Sequence, residues 1–182
     1  MGVAVKYIYS FLMFLIAFIL QTTIMNQFSI FQMSPNLILC LVVIYSFLYS
    51  GYHGVIYGIL FGLFVDICYA TIIGVSALSN FAVYLICIEM KRYLNKDSMV
   101  SVMIASSAGT AVYALLYWSV YNILGYNYTF LYMLEKEAVL IIYHLIITLV
   151  IYQVVSRRII KHRGDRYIYS GSLQEARGLN RK

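Results

Sequence analysis

Asp66 is the residue in this sequence whose chemistry most needs an explanation. It is the only acidic residue between Met1 and Tyr84, and its neighbours are apolar or aromatic. A carboxylate in such a segment can accept structural hydrogen bonds, anchor a protein interface, or take part in a proton or cation relay. A relay normally needs a second ionisable group, so the other titratable residues decide between these alternatives.

The companions for a relay are few. Glu137 and His144 are seven residues apart and share one helix face, whereas Glu89 is expected at the opposite end of the molecule from Asp66. The sequence has no Ser/His/Asp order, no HExxH motif and no phosphate-binding loop. It therefore does not predict an enzyme, and we interpret Asp66 as a packing and assembly determinant.

Glycines precede Asp66 at a regular spacing. Gly54, Gly58 and Gly62 are four residues apart, and Asp66 follows at the same interval. Residues with this spacing lie near one another on a helix and form a groove without side chains, where another helix backbone can approach closely. The ridge predicts either packing within the chain or contact with a helix of a partner subunit, and both alternatives stay open.

A second ladder of residues four apart lies later in the chain. Small residues lead into tyrosines, with Trp118 beside them: Ser101, Ala105, Gly109, Tyr113, Tyr117 and Tyr121. Tyr and Trp near the end of a membrane span usually form the interfacial aromatic belt, which is the prediction here. The alternative is an aromatic-lined pocket that faces outward.

Composition gives the class of protein. The chain has 182 residues, of which 63% are hydrophobic and only 11% are charged, and its mean hydropathy is +0.83. Soluble domains are about 25% charged, so we predict an all-α polytopic membrane protein. Cys40, Cys68 and Cys87 lie in apolar runs without CxxC spacing and are predicted to be small buried hydrophobes, with no metal and no cofactor.

Six transmembrane helices are predicted in one domain, residues 1–156. The spans are about 7–25, 36–50, 54–71, 77–90, 99–124 and 138–156. Pro35 suits the first position of the second helix, with Ser34 as its cap. Gly74 is expected to close a turn, and Ser76 to cap the fourth helix.

The distribution of basic residues supports this topology. With the N-terminus inside, the inside segments are residues 1–6, the Gly51 turn, Lys91–Asp97 and the C-terminal tail, which hold 1, 0, 3 and 8 Lys or Arg. These are 12 of the 13 basic residues, and the remaining Lys136 is flanked by two glutamates. The positive-inside rule thus predicts that both termini are cytoplasmic.

The tail, residues 157–182, is predicted to be a basic and mostly disordered cytoplasmic segment. It is too polar to fold alone, and basic residues beside a span indicate contact with anionic lipid rather than nucleic acid. The residues expected to make this contact are Arg157, Arg158, Lys161, Arg163 and Arg166.

At the level of motifs, the chain resembles one known family. Residues 34–37 read Ser-Pro-Asn-Leu, and Gly54-x3-Gly58-x3-Gly62-Leu63-x2-Asp66-x7-Gly74-x3-Leu78 follows. This pattern resembles the rod shape-determining protein MreD family. The matching positions are Pro35, Gly54, Gly58, Gly62, Asp66 and Gly74, which the resemblance marks as a helix-packing or partner interface.

The resemblance implies a non-catalytic protein of the bacterial inner membrane that belongs to the elongasome. It implies association with MreC and, through the complex, with MreB and the cell-wall synthases, in support of rod shape and lateral peptidoglycan synthesis. It also implies a fold similar to the six-helix substrate-binding component of energy-coupling-factor transporters. That likeness supplies the competing hypothesis, a vitamin-binding transporter subunit, and a homodimer is left open.

Overall fold

The computed structural model describes residues 2–25, 35–48, 51–94, 98–126, 129–131 and 133–153. The chain divides into two compact units, Met1–Leu149 and Val150–Lys182. In the second unit only residues 150–153 are described, and they are helical. The predicted basic tail, residues 157–182, lies outside the described residues.

The described part of the first unit is all helical. Helix α1 ends in a π-helical turn, Gln21–Met25, and the last helix, α6, covers residues 133–149 of this unit. The other helices are α1 (Gly2–Leu20), α2 (Leu37–Leu48), α3 (His53–Tyr69), α4 (Val75–Tyr93) and α5 (Met99–Ile123). Each overlaps one of the six predicted spans, and α1 and α4 begin before theirs.

Helix α2 forms the centre of the unit. Every side chain from Leu37 to Phe47 is buried, which is typical of a helix that is apolar all round. At 12 residues it is about 18 Å long, shorter than the roughly 30 Å hydrocarbon core of a bilayer. The helix that is shortest for a span is therefore the one that the other helices enclose.

Helix α3 packs on three neighbours through two faces. One face carries Phe61, whose ring contacts Phe11, Phe14 and Phe18 of α1 at centroid distances of 5.7, 6.1 and 5.9 Å. The other face is the glycine ridge described below, which contacts α2 and α4. The remaining surface of α3 exposes large apolar side chains, as expected of a helix in contact with lipid: Ile56, Ile59, Leu60, Leu63, Phe64 and Ile67.

The glycine ridge is filled from within the chain. A Cβ added at Gly54 would lie 3.1 Å from Ser46 Oγ of α2, and one added at Gly58 would overlap Val42 Cγ2 of the same helix. At Gly62 the Cβ would lie 2.7 Å from Asn80 Nδ2 of α4. Of the two alternatives left open by the sequence, the structure thus uses the ridge for intramolecular helix packing.

Two predictions for helix starts are wrong, Ser76 as the cap of the fourth helix and Pro35 as the first residue of the second. Helix α4 begins at Val75, so Ser76 lies inside its first turn and its amide is bound by Asp66 instead. Helix α2 begins at Leu37, two residues after Pro35, and Asn36 caps it because Asn36 Oδ1 accepts the Leu39 amide at 3.0 Å. Ser34 lies outside the described residues.

The expectation for the cysteines is correct for two of the three. Cys40 and Cys87 are buried, whereas Cys68 is exposed. Cys68 follows Asp66 by two residues, which on a helix is about 200° around the axis. It therefore lies on the face of α3 opposite the ridge, the face that carries the exposed apolar side chains.

One helix in the described residues is both long and apolar enough to cross a membrane, Met99–Ile123. Three shorter apolar helices accompany it, Tyr7–Thr23, Leu37–Phe47 and His53–Tyr69. The six-helix count agrees with the predicted number of spans, and the spans themselves stay a prediction.

Candidate functional site

The start of helix α2 is buried and is held by side chains from other elements. The amide of Asn36 donates to His144 Nε2 of α6 at 2.9 Å. The amide of Ile38 donates to Gln21 Oε1, in the π-helical turn, at 3.3 Å. Because the first amides of a helix have no partner within it, these bonds and the Asn36 cap satisfy groups that burial would otherwise leave unpaired.

The start of helix α4 is held by Asp66. The amides of Gly74 and Ser76 both donate to Asp66 Oδ2, each at 2.9 Å. Asp66 is fully buried, and its own carbonyl accepts the Ala70 amide at 2.9 Å where α3 ends. A carboxylate is favourable at this position because the N-terminus of a helix carries partial positive charge. Asp66 thus fixes both the end of α3 and the start of α4.

Gly74 makes the turn between these helices. Its φ is +102°, and a Cβ placed on it would meet nothing within 4 Å. Glycine is therefore needed here for its left-handed conformation, which is a different requirement from the close packing at Gly58 and Gly62.

His144 is fully committed to structural hydrogen bonds. Its Nε2 accepts the Asn36 amide, and its Nδ1 lies 3.0 Å from Thr110 Oγ1. The Thr110 hydroxyl donates to the Ser106 carbonyl at 2.8 Å, so its proton is already used and Nδ1 must donate. These partners select the neutral imidazole with its proton on Nδ1. His144 is thus a positioned side chain rather than a free base for a relay.

The tyrosine ladder of α5 faces the interior at the same end of the unit. Tyr113, Tyr117 and Tyr121 stack with centroid distances of 6.0 and 4.6 Å. The Tyr113 hydroxyl donates to Ser76 Oγ at 2.8 Å, and the Tyr121 hydroxyl lies 3.1 Å from Thr71 Oγ1. These bonds tie α5 to the α3–α4 turn and to the start of α4. The tyrosines therefore line a pocket, which is the alternative to the predicted belt.

These groups enclose a cavity of about 350 Å³ that is open on one side. We call it the Trp118 cavity, since it is lined by the only tryptophan in the chain. The lining side chains that matter for its chemistry are Asp66, Tyr113, Tyr117, Trp118, Glu137 and His144.

Two acids in the cavity have unpaired oxygens. Asp66 Oδ1 and Glu137 Oε1 are buried and lack a hydrogen-bond partner among the described residues. The structure therefore brings Asp66 together with both residues of the predicted Glu137–His144 face. Glu89 is elsewhere, where it forms an exposed salt bridge to Arg92 at 3.1 Å.

The match to known proteins covers this whole arrangement. Residues 1–156 match the family model of the rod shape-determining protein MreD. The chain belongs to the MreD family. The resemblance seen in the sequence is thus confirmed, and with it come a role in determining rod shape and a place among membrane proteins. No curated protein and no solved structure matches the chain.

Within this family member, the motif positions divide into two groups. Gly54, Gly58 and Gly62 are buried where α3 meets α2 and α4. Pro35 and Gly74 precede α2 and α4, and Pro35 is buried. Asp66, near the end of α3, accepts the first amides of α4. Contact of these positions with a partner protein stays a prediction.

The residues that complete this end of the unit were not predicted from the sequence. These residues are Gln21, Asn36 and Thr110. Their polar side chains in or beside apolar helices were the sequence signal that could have marked them as buried hydrogen-bonding groups. His53 is half-buried and contacts the Tyr7 ring at a centroid distance of 4.0 Å. In the described residues, no group of three or more His, Cys, Asp or Glu side chains could hold a metal ion.

Proposed function

We propose that this protein is a non-catalytic scaffold of the elongasome in the bacterial inner membrane. In this proposal it binds MreC and, through the complex, is linked to MreB and the cell-wall synthases that extend the lateral peptidoglycan. The observation that carries the proposal is the match of residues 1–156 to the MreD family. The structural roles of Asp66 and His144 support it, because both side chains hold helix ends rather than a reacting group.

The proposed topology has both termini in the cytoplasm and the Trp118 cavity on the outer side. The distribution of Lys and Arg supports it, since 12 of 13 then lie inside. The five basic residues of the tail that are predicted to contact lipid are proposed to bind anionic headgroups. Each contributes about 1 kcal/mol of binding free energy near the surface. A partner helix is then expected to use an exposed apolar face, such as that of α3, because the glycine ridge is already occupied.

Association with MreC is tested by co-purification from membranes. The tagged full-length chain is solubilised in mild detergent from cells that carry MreC, and a tagged membrane protein of unrelated family serves as the control. We expect MreC to be recovered with this chain and not with the control, and we expect loss of the chain to convert rods to spheres. Recovery of MreC equal to the control, with rod shape kept after loss of the chain, would contradict the proposal.

A vitamin-binding transporter subunit is the second candidate, and the Trp118 cavity is the observation that favours it. A tight, saturable complex between the purified protein and a vitamin, in the absence of any association with MreC, would establish this candidate over the scaffold.

A further inference from the structure

The Trp118 cavity has the size and the lining of a small-molecule site. Its volume of about 350 Å³ falls in the range of about 300–1,000 Å³ that such sites occupy. One wall is the stack of Tyr113, Tyr117 and Tyr121. The Tyr113 hydroxyl is held by Ser76 at the start of α4, the Tyr121 hydroxyl lies 3.1 Å from Thr71 Oγ1, and the Tyr117 hydroxyl lies 3.0 Å from that of Tyr121. The aromatic wall is therefore preformed.

The two acids of the cavity need a hydrogen-bond donor. Asp66 and Glu137 are 0% and 7% exposed, yet each has a carboxylate oxygen without a partner in the described part of the chain. A buried polar atom without a hydrogen bond costs about 1–3 kcal/mol, and more if it is charged. Such oxygens need donors, and donors that carry positive charge satisfy them best.

The other polar groups of the lining do not supply this donor. His144 is neutral and its two ring nitrogens are engaged by Asn36 and Thr110. Lys136 also lines the cavity and has an interaction of its own, and it sets one positive charge against two carboxyl groups. The lining thus combines an excess of acidic groups with aromatic faces, which attract cations through the ring quadrupole.

We propose that the Trp118 cavity binds a small organic cation that has an aromatic or apolar body and N–H donors. The ammonium group pairs with the unpaired oxygens of Glu137 and Asp66, and the body of the ligand packs on Tyr117 and Trp118. This inference goes beyond the scaffold function and does not rest on it.

The test uses Trp118 as its own reporter, because it is the only tryptophan of the chain. The full-length protein in nanodiscs is titrated with 2-phenylethylammonium while the Trp118 fluorescence is recorded. Two probes of the same skeleton accompany it, the neutral 2-phenylethanol and the anionic 3-phenylpropionate. We expect a saturable change with the ammonium at a concentration at least about tenfold below that for the alcohol, as one charge-assisted hydrogen bond provides.

Two matched variants separate the site from general electrostatics. Glu137→Gln removes the unpaired carboxylate and is expected to weaken binding of 2-phenylethylammonium about tenfold. Glu135→Gln removes the same charge from an exposed position two residues away and is expected to leave the affinity unchanged. The melting temperatures of both variants are measured to check that they are folded.

Three outcomes would overturn the proposal. The first is the absence of any saturable change in Trp118 fluorescence with the ammonium. The second is equal affinity for the ammonium and the alcohol, which would make the site merely apolar. The third is an equal effect of Glu137→Gln and Glu135→Gln, which would assign the binding to surface charge. None of these outcomes depends on MreC, so failure here is distinct from failure of the scaffold proposal.

Discussion

Gly62→Leu is expected to destabilise the protein by about 3 kcal/mol, the upper end of the usual range for overpacked cores. A Cβ at this position would lie 2.7 Å from Asn80 Nδ2 and 3.2 Å from the backbone of Ala77. The backbone of α4 cannot yield without moving the helix. Displacement of Asn80, which is 1% exposed, breaks the bond that it donates to the Gly58 carbonyl at 2.9 Å. The gain in helix propensity, about 1 kcal/mol at most, does not offset these costs.

The melting temperature of the purified protein in detergent measures this effect, together with its accumulation in membranes. Ala138→Leu is the matched control, because it adds a leucine at an exposed position of α6. If Gly62→Leu has the same melting temperature as Ala138→Leu, the ridge does not need its glycines for packing within the chain.

Gly58 offers a second test of the same contact. Its added Cβ would overlap Val42 Cγ2 alone at short range, and valine has little freedom to rotate away. Gly58→Ala is therefore expected to destabilise the protein, and Val42→Ala in the same chain is expected to restore part of the loss. Additive losses in the double variant would show that the two residues are not in contact.

Asp66→Leu is expected to have an effect of similar size for a different reason. It removes the acceptor of the Gly74 and Ser76 amides and leaves two donors at the start of α4 without a partner. At about 1–3 kcal/mol for each unsatisfied group, the free energy of unfolding should fall by roughly 2–6 kcal/mol. Asp66→Asn keeps an oxygen at the same place and loses only the charge, which is worth about 0.3–2 kcal/mol at a helix N-terminus.

Chemical or thermal unfolding of the two variants and the parent protein checks that Asp66→Leu loses more stability than Asp66→Asn. The contradicting result is equal destabilisation by Asn and Leu, because the hydrogen bonds would then contribute nothing and the charge everything. Amide hydrogen exchange at Gly74 and Ser76 gives a local reading, with faster exchange expected in Asp66→Leu than in Asp66→Asn.

The helices and the glycine ridge were predictable from the sequence because their signals are local. Each signal depends on residues that are close in the sequence, as in the apolar runs, the four-residue spacing at Gly54, Gly58 and Gly62, and the turn at Gly74. The tyrosine spacing on α5 likewise predicted one aromatic face, although spacing alone does not say whether that face meets lipid or a cavity.

The cavity end was not predictable, because its partners are distant in the chain. Asn36 and His144 are 108 residues apart, and no local pattern joins them. The cap of α4 comes from Asp66, eight residues before Gly74, whereas rules for caps consider the residue next to the helix. Ser76 was therefore the natural local prediction, and it was wrong because α3 supplies a buried carboxylate that accepts both amides.

Asp66 gives the most direct test of the central claim, that this acid assembles the fold and does not take part in a reaction. A bacterium depleted of its own MreD-family protein is supplied with Asp66→Asn at a membrane level matched to the parent protein, and cell width is measured. The expected result is rod-shaped cells with Asp66→Asn and spheres with Asp66→Leu. Spherical cells with a stably folded and fully accumulated Asp66→Asn protein would contradict the claim, because the carboxylate itself would then be required.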